Sequence, residues 1–164
     1  MSKPSTGHLI LVAIVLAIAV KIVIFPARVP DLVLPASDGS ETELRDLQGK
    51  EVGGILYGSK TPCGGHEGFM AQSVAVFRLL AESPRYHVKV VYGDQTEEEA
   101  RAFAEAYPDV PIVLDPEKRF ADKMDIEYYA TILYAPSGKI LVEEEGRGLF
   151  PKPGLEAYLD EKTQ

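Results

Sequence analysis

Residues 52–58 (VGGILYG) form an unbroken apolar run whose one polar side-chain atom is the Tyr57 hydroxyl. A short run of this kind reads as a strand buried on both faces. Directly after it, SKTPCGGHE (59–67) interrupts the pattern, and from about Gly65 the periodicity changes. Phe69, Met70, Val74, Phe77, Leu80 and Ala81 recur at spacings of three and four, the stripe of a helix with one buried face, and Ser83-Pro84 stops it. A doubly buried strand that runs straight into an amphipathic helix restricts the chain to a sheet covered by helices on both sides.

The rest of the chain repeats the alternation. Leu32–Pro35 reads as an edge strand, followed by the turn Ser37-Asp38-Gly39-Ser40. Glu41–Leu47 reads as a short helical turn, with Ser40 and Glu43 as a capping box or Thr42 as the alternative cap. His87–Tyr92 (HVKVVY) alternates and is rich in β-branched residues, so it is a strand. A helix starts at Thr96-Glu97-Glu98-Glu99, with its acids at the positive dipole end, and stops before Pro108. Val110–Leu114 is a short strand and Glu117–Met124 a short helix. Thr131–Ala135 and Lys139–Glu143 are strands joined by the turn Pro136-Ser137-Gly138, and Pro153–Lys162 is a closing helix. The order is β-β-α-β-α-β-α-β-β-α, with an antiparallel hairpin at the end, hence a mixed sheet in an α/β domain.

The first residues do not belong to that domain. Leu9–Phe25 (LILVAIVLAIAVKIVIF) is apolar except for Lys21, and Pro26 ends it. As a helix it measures about 25 Å, slightly short of a ~30 Å hydrocarbon core, and Lys21 lies close enough to its end to snorkel. A cleaved signal peptide has a shorter apolar region and small residues at its cleavage site. Pro26-Ala27-Arg28-Val29-Pro30 does not fit that pattern. Residues 1–28 are therefore expected to be a single-pass anchor and the start of its linker, with Leu9, Val15, Val20, Lys21 and Phe25 in the anchor. Residues 29–164 are expected to be one domain. Lys3 on one side of the span and Lys21 and Arg28 on the other nearly balance, so charge does not set its orientation.

A formal net charge of −8 argues against a nucleic-acid partner, because a phosphate backbone needs a basic face. One cysteine, Cys63, rules out an internal disulfide framework and a cysteine-based zinc cluster. Nothing in the sequence calls for a cofactor, and no glycine-rich phosphate loop is present.

Three stretches carry a resemblance. PDLVLPASDGSETELRDLQGKEV, VKVVYGDQTEEEARAFAEAYPDVPIVLDP and DIEYYATILYAPSGKILVEEEG occur in this order. They resemble the opening, middle and closing hairpin of the membrane-anchored thioredoxin-like proteins of the TlpA/ResA and redoxin (AhpC/TSA-like) type, over nearly all of residues 30–164. The resemblance implies a thioredoxin-like three-layer fold with a mixed central sheet. It also implies a domain on the periplasmic or extracytoplasmic side of a cell membrane.

The family's functional landmarks are altered. Its W-C-x-x-C motif would fall at 59–67, where the cysteine pair and the preceding tryptophan are missing. Cys63 and His66 fill the two cysteine slots if the loop is one residue longer; without that gap, Pro62 and Gly65 fill them. Ala130, followed by Thr131, occupies the slot of the family's cis-proline. A cis bond before a non-proline residue costs about 3–4 kcal/mol, so a trans bond is expected here. The resemblance thus places the substrate groove at Thr61, Pro62, His66, Ala130 and Thr131.

Two kinds of role follow for Cys63. Just ahead of a helix and near Lys60, it is placed to be a low-pKa nucleophile in a single-cysteine thiol–disulfide oxidoreductase or peroxidase. Alternatively it is a relic in a redox-degenerate domain. That domain would be an accessory subunit among other integral-membrane subunits, for instance of an electron-transfer complex. Cys63, His66 and Met70 also follow a C-x-x-H-x-x-x-M spacing whose soft donors suit Cu(I). Against this, Met70 belongs to the buried helix stripe and His66 reads as a solvated first-turn residue.

Overall fold

The computed structural model describes residues 27–59, 66–93, 96–145 and 155–163. The expected anchor at 9–25 lies outside them. Among the described residues, no helix is long and apolar enough to cross a membrane.

Strand β3 (Val52–Ser59) is the centre of the molecule, and every one of its residues is buried. It runs parallel to β4 (Tyr86–Gly93), from Val52 opposite Tyr86 to Ser59 opposite Gly93. On its other side it runs antiparallel to β6 (Tyr129–Tyr134), from Gly53 opposite Tyr134 to Gly58 opposite Tyr129. With β5 (Ile112–Asp115) beyond β4 and β7 (Ile140–Glu145) beyond β6, the five-stranded sheet has the order β5-β4-β3-β6-β7. It is mixed, as the alternation and the terminal hairpin predict.

Helices α1 (His66–Ala81), α2 (Glu97–Ala106) and α4 (Leu155–Lys162) cover one face. Their core joins Met70, Val74, Phe77 and Leu80 to Leu56, Val88, Val90 and Leu133. The other face is covered by α3 (Arg119–Met124) and by the segment that enters the domain, with Leu34, Leu44, Tyr57, Phe120, Ile132 and Tyr134 packed together. Helix α2 starts at the expected capping box. Thr96 Oγ1 accepts from Glu99 N–H at 3.3 Å and the Glu99 carboxylate accepts from Thr96 N–H at 3.0 Å.

One element differs from expectation. Residues Glu41–Glu43 form a strand, β2, paired antiparallel with β1 (Val33–Pro35) in a separate two-stranded sheet. The expected helical turn over Glu41–Leu47 is absent because its cap is engaged elsewhere. Both Ser40 N–H and its hydroxyl donate to Asp38 Oδ1, at 2.9 and 2.6 Å, closing a turn of the Asx kind. A helix this short is marginal without its cap. The hairpin satisfies the backbone and sends Leu34 and Leu44 into the core.

This entering segment is clamped to the sheet from below. Tyr134 Oη donates to the Leu44 carbonyl, and Lys89 Nζ donates to the carbonyls of Leu44 (3.3 Å) and Asp46. Lys89 is only 4% exposed, and burial pushes its pKa down to about 8. Arg45 Nε donates to the Val29 carbonyl at 2.7 Å, fixing the first described residues as well.

The close approach of Tyr134 to β3 requires a glycine. A Cβ on Gly53 would lie 2.2 Å from the Tyr134 ring and 2.6 Å from Leu47, whereas one on Gly54 would meet Val88 and Leu133 at 3.1–3.3 Å. Gly53→Ala should therefore destabilise the fold by about 2–3 kcal/mol and Gly54→Ala by clearly less. Urea unfolding of the two variants measures the difference.

Candidate functional site

The carboxyl ends of the parallel strands converge at one pole of the sheet, the end at which open α/β sheets bind ligands. Ser59, Gly93 and Asp115 stand side by side there, Ser59 opposite Gly93 and Gly93 opposite Asp115. Strand β6 begins at the same pole. Thr61, Pro62 and Cys63 follow Ser59 in the chain but lie outside the described residues. His66 is the first residue of α1, and its side chain is likewise outside the description. Met70, one turn on, is 1% exposed and packed in the core, so its thioether is committed to packing.

Ala130 and Thr131 are 1% and 2% exposed, inside the sheet. Ala130 sits between Tyr57 on β3 and Glu145 on β7, and Thr131 between Leu56 and Glu144. No cis peptide bond occurs among the described residues, in line with the expectation for a chain with alanine at 130. Strand β6 therefore stays regular through Ala130 and Tyr129. The pairing continues one step further, where Ser59 N–H donates to the Tyr128 carbonyl at 2.9 Å. The Ser59 hydroxyl lies 3.4 Å from the carbonyl oxygens of both Glu127 and Tyr128. Beside this closed seam is a shallow cleft of about 210 Å³, lined by Glu127, Tyr128, Tyr129 and Glu145. Its rim is acidic, and Glu127 N–H donates to Glu145 Oε1 at 3.4 Å.

Asp115 has a role that its place in the sequence did not disclose. It is 0% exposed, and its Oδ2 accepts from the N–H groups of Phe120 (3.0 Å) and Ala121 (3.2 Å). It thereby caps α3, because Lys118, the residue at the cap position, is in the left-handed conformation and makes no side-chain cap bond. Oδ1 is buried and has no hydrogen-bond partner among the described residues. Burial raises the Asp115 pKa, opposed by the backbone N–H groups of Ala121, Phe120 and Arg119. In the sequence, Asp115-Pro116 reads only as a strand stop. The available signal was a carboxylate a few residues ahead of a helix that has no cap of its own.

In the sequence Tyr57 likewise stands only as part of an apolar run. Its ring packs 5.8 Å from that of Phe120, and its hydroxyl lies over Gly93, where a Cβ would approach within 2.0 Å. A glycine at 93 is what lets the phenol reach across β4.

With sheet order, crossovers and pole in place, the chain superposes on known structures. The exposed lipoprotein thioredoxin Etrx1 of Streptococcus pneumoniae matches with a TM-score of 0.64 at 18% identity, over 80% of this chain and 99% of that one. The fold is thioredoxin-like. The thioredoxin domain of a thiol-disulfide oxidoreductase from Bacteroides vulgatus matches with a TM-score of 0.65 at 16% identity, over 85% of this chain and 97% of that one. In sequence, the chain is 28% identical over 132 residues to Probable nucleoredoxin 1 of Arabidopsis thaliana. That match takes in 76% of this chain and 22% of the plant protein. No protein-family profile matches the chain.

The Asp115 carboxylate is open to test. Its raised pKa means that the neutral form favours the folded state, so this contribution is complete below the unfolded value of about 3.9 and is lost as pH rises through the folded value. Asp115→Asn keeps an acceptor for α3 and buries no charge, so relative to wild type it should gain stability as pH rises from about 4 towards neutrality. Asp115→Ala removes the cap and should cost about 1–2 kcal/mol. Thermal unfolding at several pH values separates the two.

Proposed function

We propose that this chain is a thioredoxin-fold subunit that has given up disulfide exchange and serves as an accessory, structural part of a membrane protein complex. The tether is residues 9–25, and the domain lies on the extracytoplasmic side of a cell membrane. Its partners are other integral-membrane subunits, with an electron-transfer complex as one fitting host. The observation that carries this reading is the closed seam between β3 and β6. An extended substrate binds a sheet by pairing with free backbone groups. At Ala130 both neighbours are already strands, and the pairing runs on to Ser59 and Tyr128. A single thiol, Cys63, completes the argument, since a dithiol exchange within one chain needs two.

The competing reading is a single-cysteine oxidoreductase or peroxidase with Cys63 as nucleophile. It draws support from the Bacteroides vulgatus neighbour, a thiol-disulfide oxidoreductase by name. The rate of Cys63 alkylation against pH separates the two. A structural role predicts a midpoint near the ordinary value of about 8.5, unchanged assembly after Cys63→Ser, and copurification with membrane subunits in mild detergent. A midpoint at about 7 or below, together with loss of cellular function in Cys63→Ser, would establish the catalytic reading instead.

A further inference from the structure

The first described residues are fixed to the pole opposite Ser59 and Asp115. Ile140 N–H donates to the Ala27 carbonyl at 3.1 Å and Val29 N–H to the Gly138 carbonyl at 2.9 Å, with Arg28 bridged to Lys139. The chain thus enters through an isolated antiparallel bridge at the turn joining β6 to β7. The apolar stretch ends at Phe25, two residues before Ala27. Fully extended, two residues span about 7 Å. A tether so short and so firmly attached gives the domain little freedom to turn over.

Two basic side chains stand side by side at this entry point. Arg28 and Lys139 are exposed there, and neither makes an ion pair among the described residues. Arg45 and Lys50 are half-buried beside them. Acids stand at this pole as well: Glu51 (3.3 Å) and Asp160 (2.5 Å) share Arg85, and Asp46 Oδ1 accepts from Gln48 N–H at 2.9 Å. At the other pole the exposed charges include Glu127 and the β7 run Glu143-Glu144-Glu145, with Arg119 beside Asp115. Basic groups next to a membrane-entry point are drawn to anionic headgroups, within a Debye length of the surface.

We propose that the pole carrying the β6–β7 turn rests on the bilayer, with Arg28 and Lys139 on the phosphates of anionic lipids. The Ser59–Asp115 pole is thereby held away from the membrane, facing the aqueous phase and whatever protein docks there. This rests on the tether reading above and adds an orientation and a lipid contact to it. The separation between the poles is about 25 Å, the length of the eight-residue β3 at about 3.3 Å per residue.

The test uses the full chain in nanodiscs containing phosphatidylglycerol and a lipid with a headgroup nitroxide. Because Cys63 is the only cysteine, Cys63→Ser provides a background in which a fluorophore is placed at Ser137→Cys or Glu127→Cys, both exposed positions. The Ser137 label should lose most of its emission to the nitroxide and the Glu127 label should keep it. Equal or greater loss at Glu127 in chain that stays with the disc overturns the orientation. Chain that separates from the disc overturns the tether itself. Arg28→Glu with Lys139→Glu should reduce the loss at Ser137 in phosphatidylglycerol discs but not in purely zwitterionic ones. An unchanged loss in both removes the lipid contact from these residues.

Discussion

Everything in this molecule is organised by a single strand that has neither a wet face nor a free edge. β3 is buried along its whole length, parallel to β4 on one side and antiparallel to β6 on the other. Such a strand has no room for a charge, and it needs neighbours that fit against it. Gly53 admits the Tyr134 ring on one face, Gly54 lies against Val88 and Leu133 on the other, and Tyr57 reaches across Gly93. The helices and the entering hairpin are coverings for the two apolar faces this strand creates.

The same constraint shapes the candidate functional pole. With alanine at 130 and a trans backbone, β6 keeps strand geometry up to the end of β3, so the two zip together as far as the contact between Ser59 and Tyr128. Backbone groups that would otherwise meet an extended partner are used internally, and burying them unpaired would be costly. A fold hosts whatever chemistry its local site permits. Here a thioredoxin-like frame carries one thiol and a closed seam, the two features on which the proposed role rests.

Most of the architecture was legible in the sequence because its signals are periodic. The apolar run at 52–58, the stripe of α1, the Thr96 capping box and the Pro136-Ser137-Gly138 turn each point to one answer. What stayed hidden depended on contacts between distant residues. The Ser40–Glu43 pattern looks like a helix start until Asp38 is seen to occupy the serine. Lys89 alternates in HVKVVY as if it faced water, yet that face is covered too, and its amine reaches the carbonyls of Leu44 and Asp46 instead. Asp115 reads as a strand stop because its partners, Phe120 and Ala121, are fixed only once α3 folds back over β5. Around Cys63 the sequence shows that the second cysteine is missing, while the structure shows the closed seam at Ala130.

Amide hydrogen exchange at Ser59, followed residue by residue by NMR in the full chain in detergent micelles, probes that seam directly. If the seam is closed in solution, the Ser59 N–H exchanges as slowly as the central amides of β3, such as that of Leu56, and opens only with the core. If Ser59 exchanges at the rate of an open loop while Leu56 stays protected, the groove is available to substrates and the account of a sealed, non-exchanging scaffold is wrong.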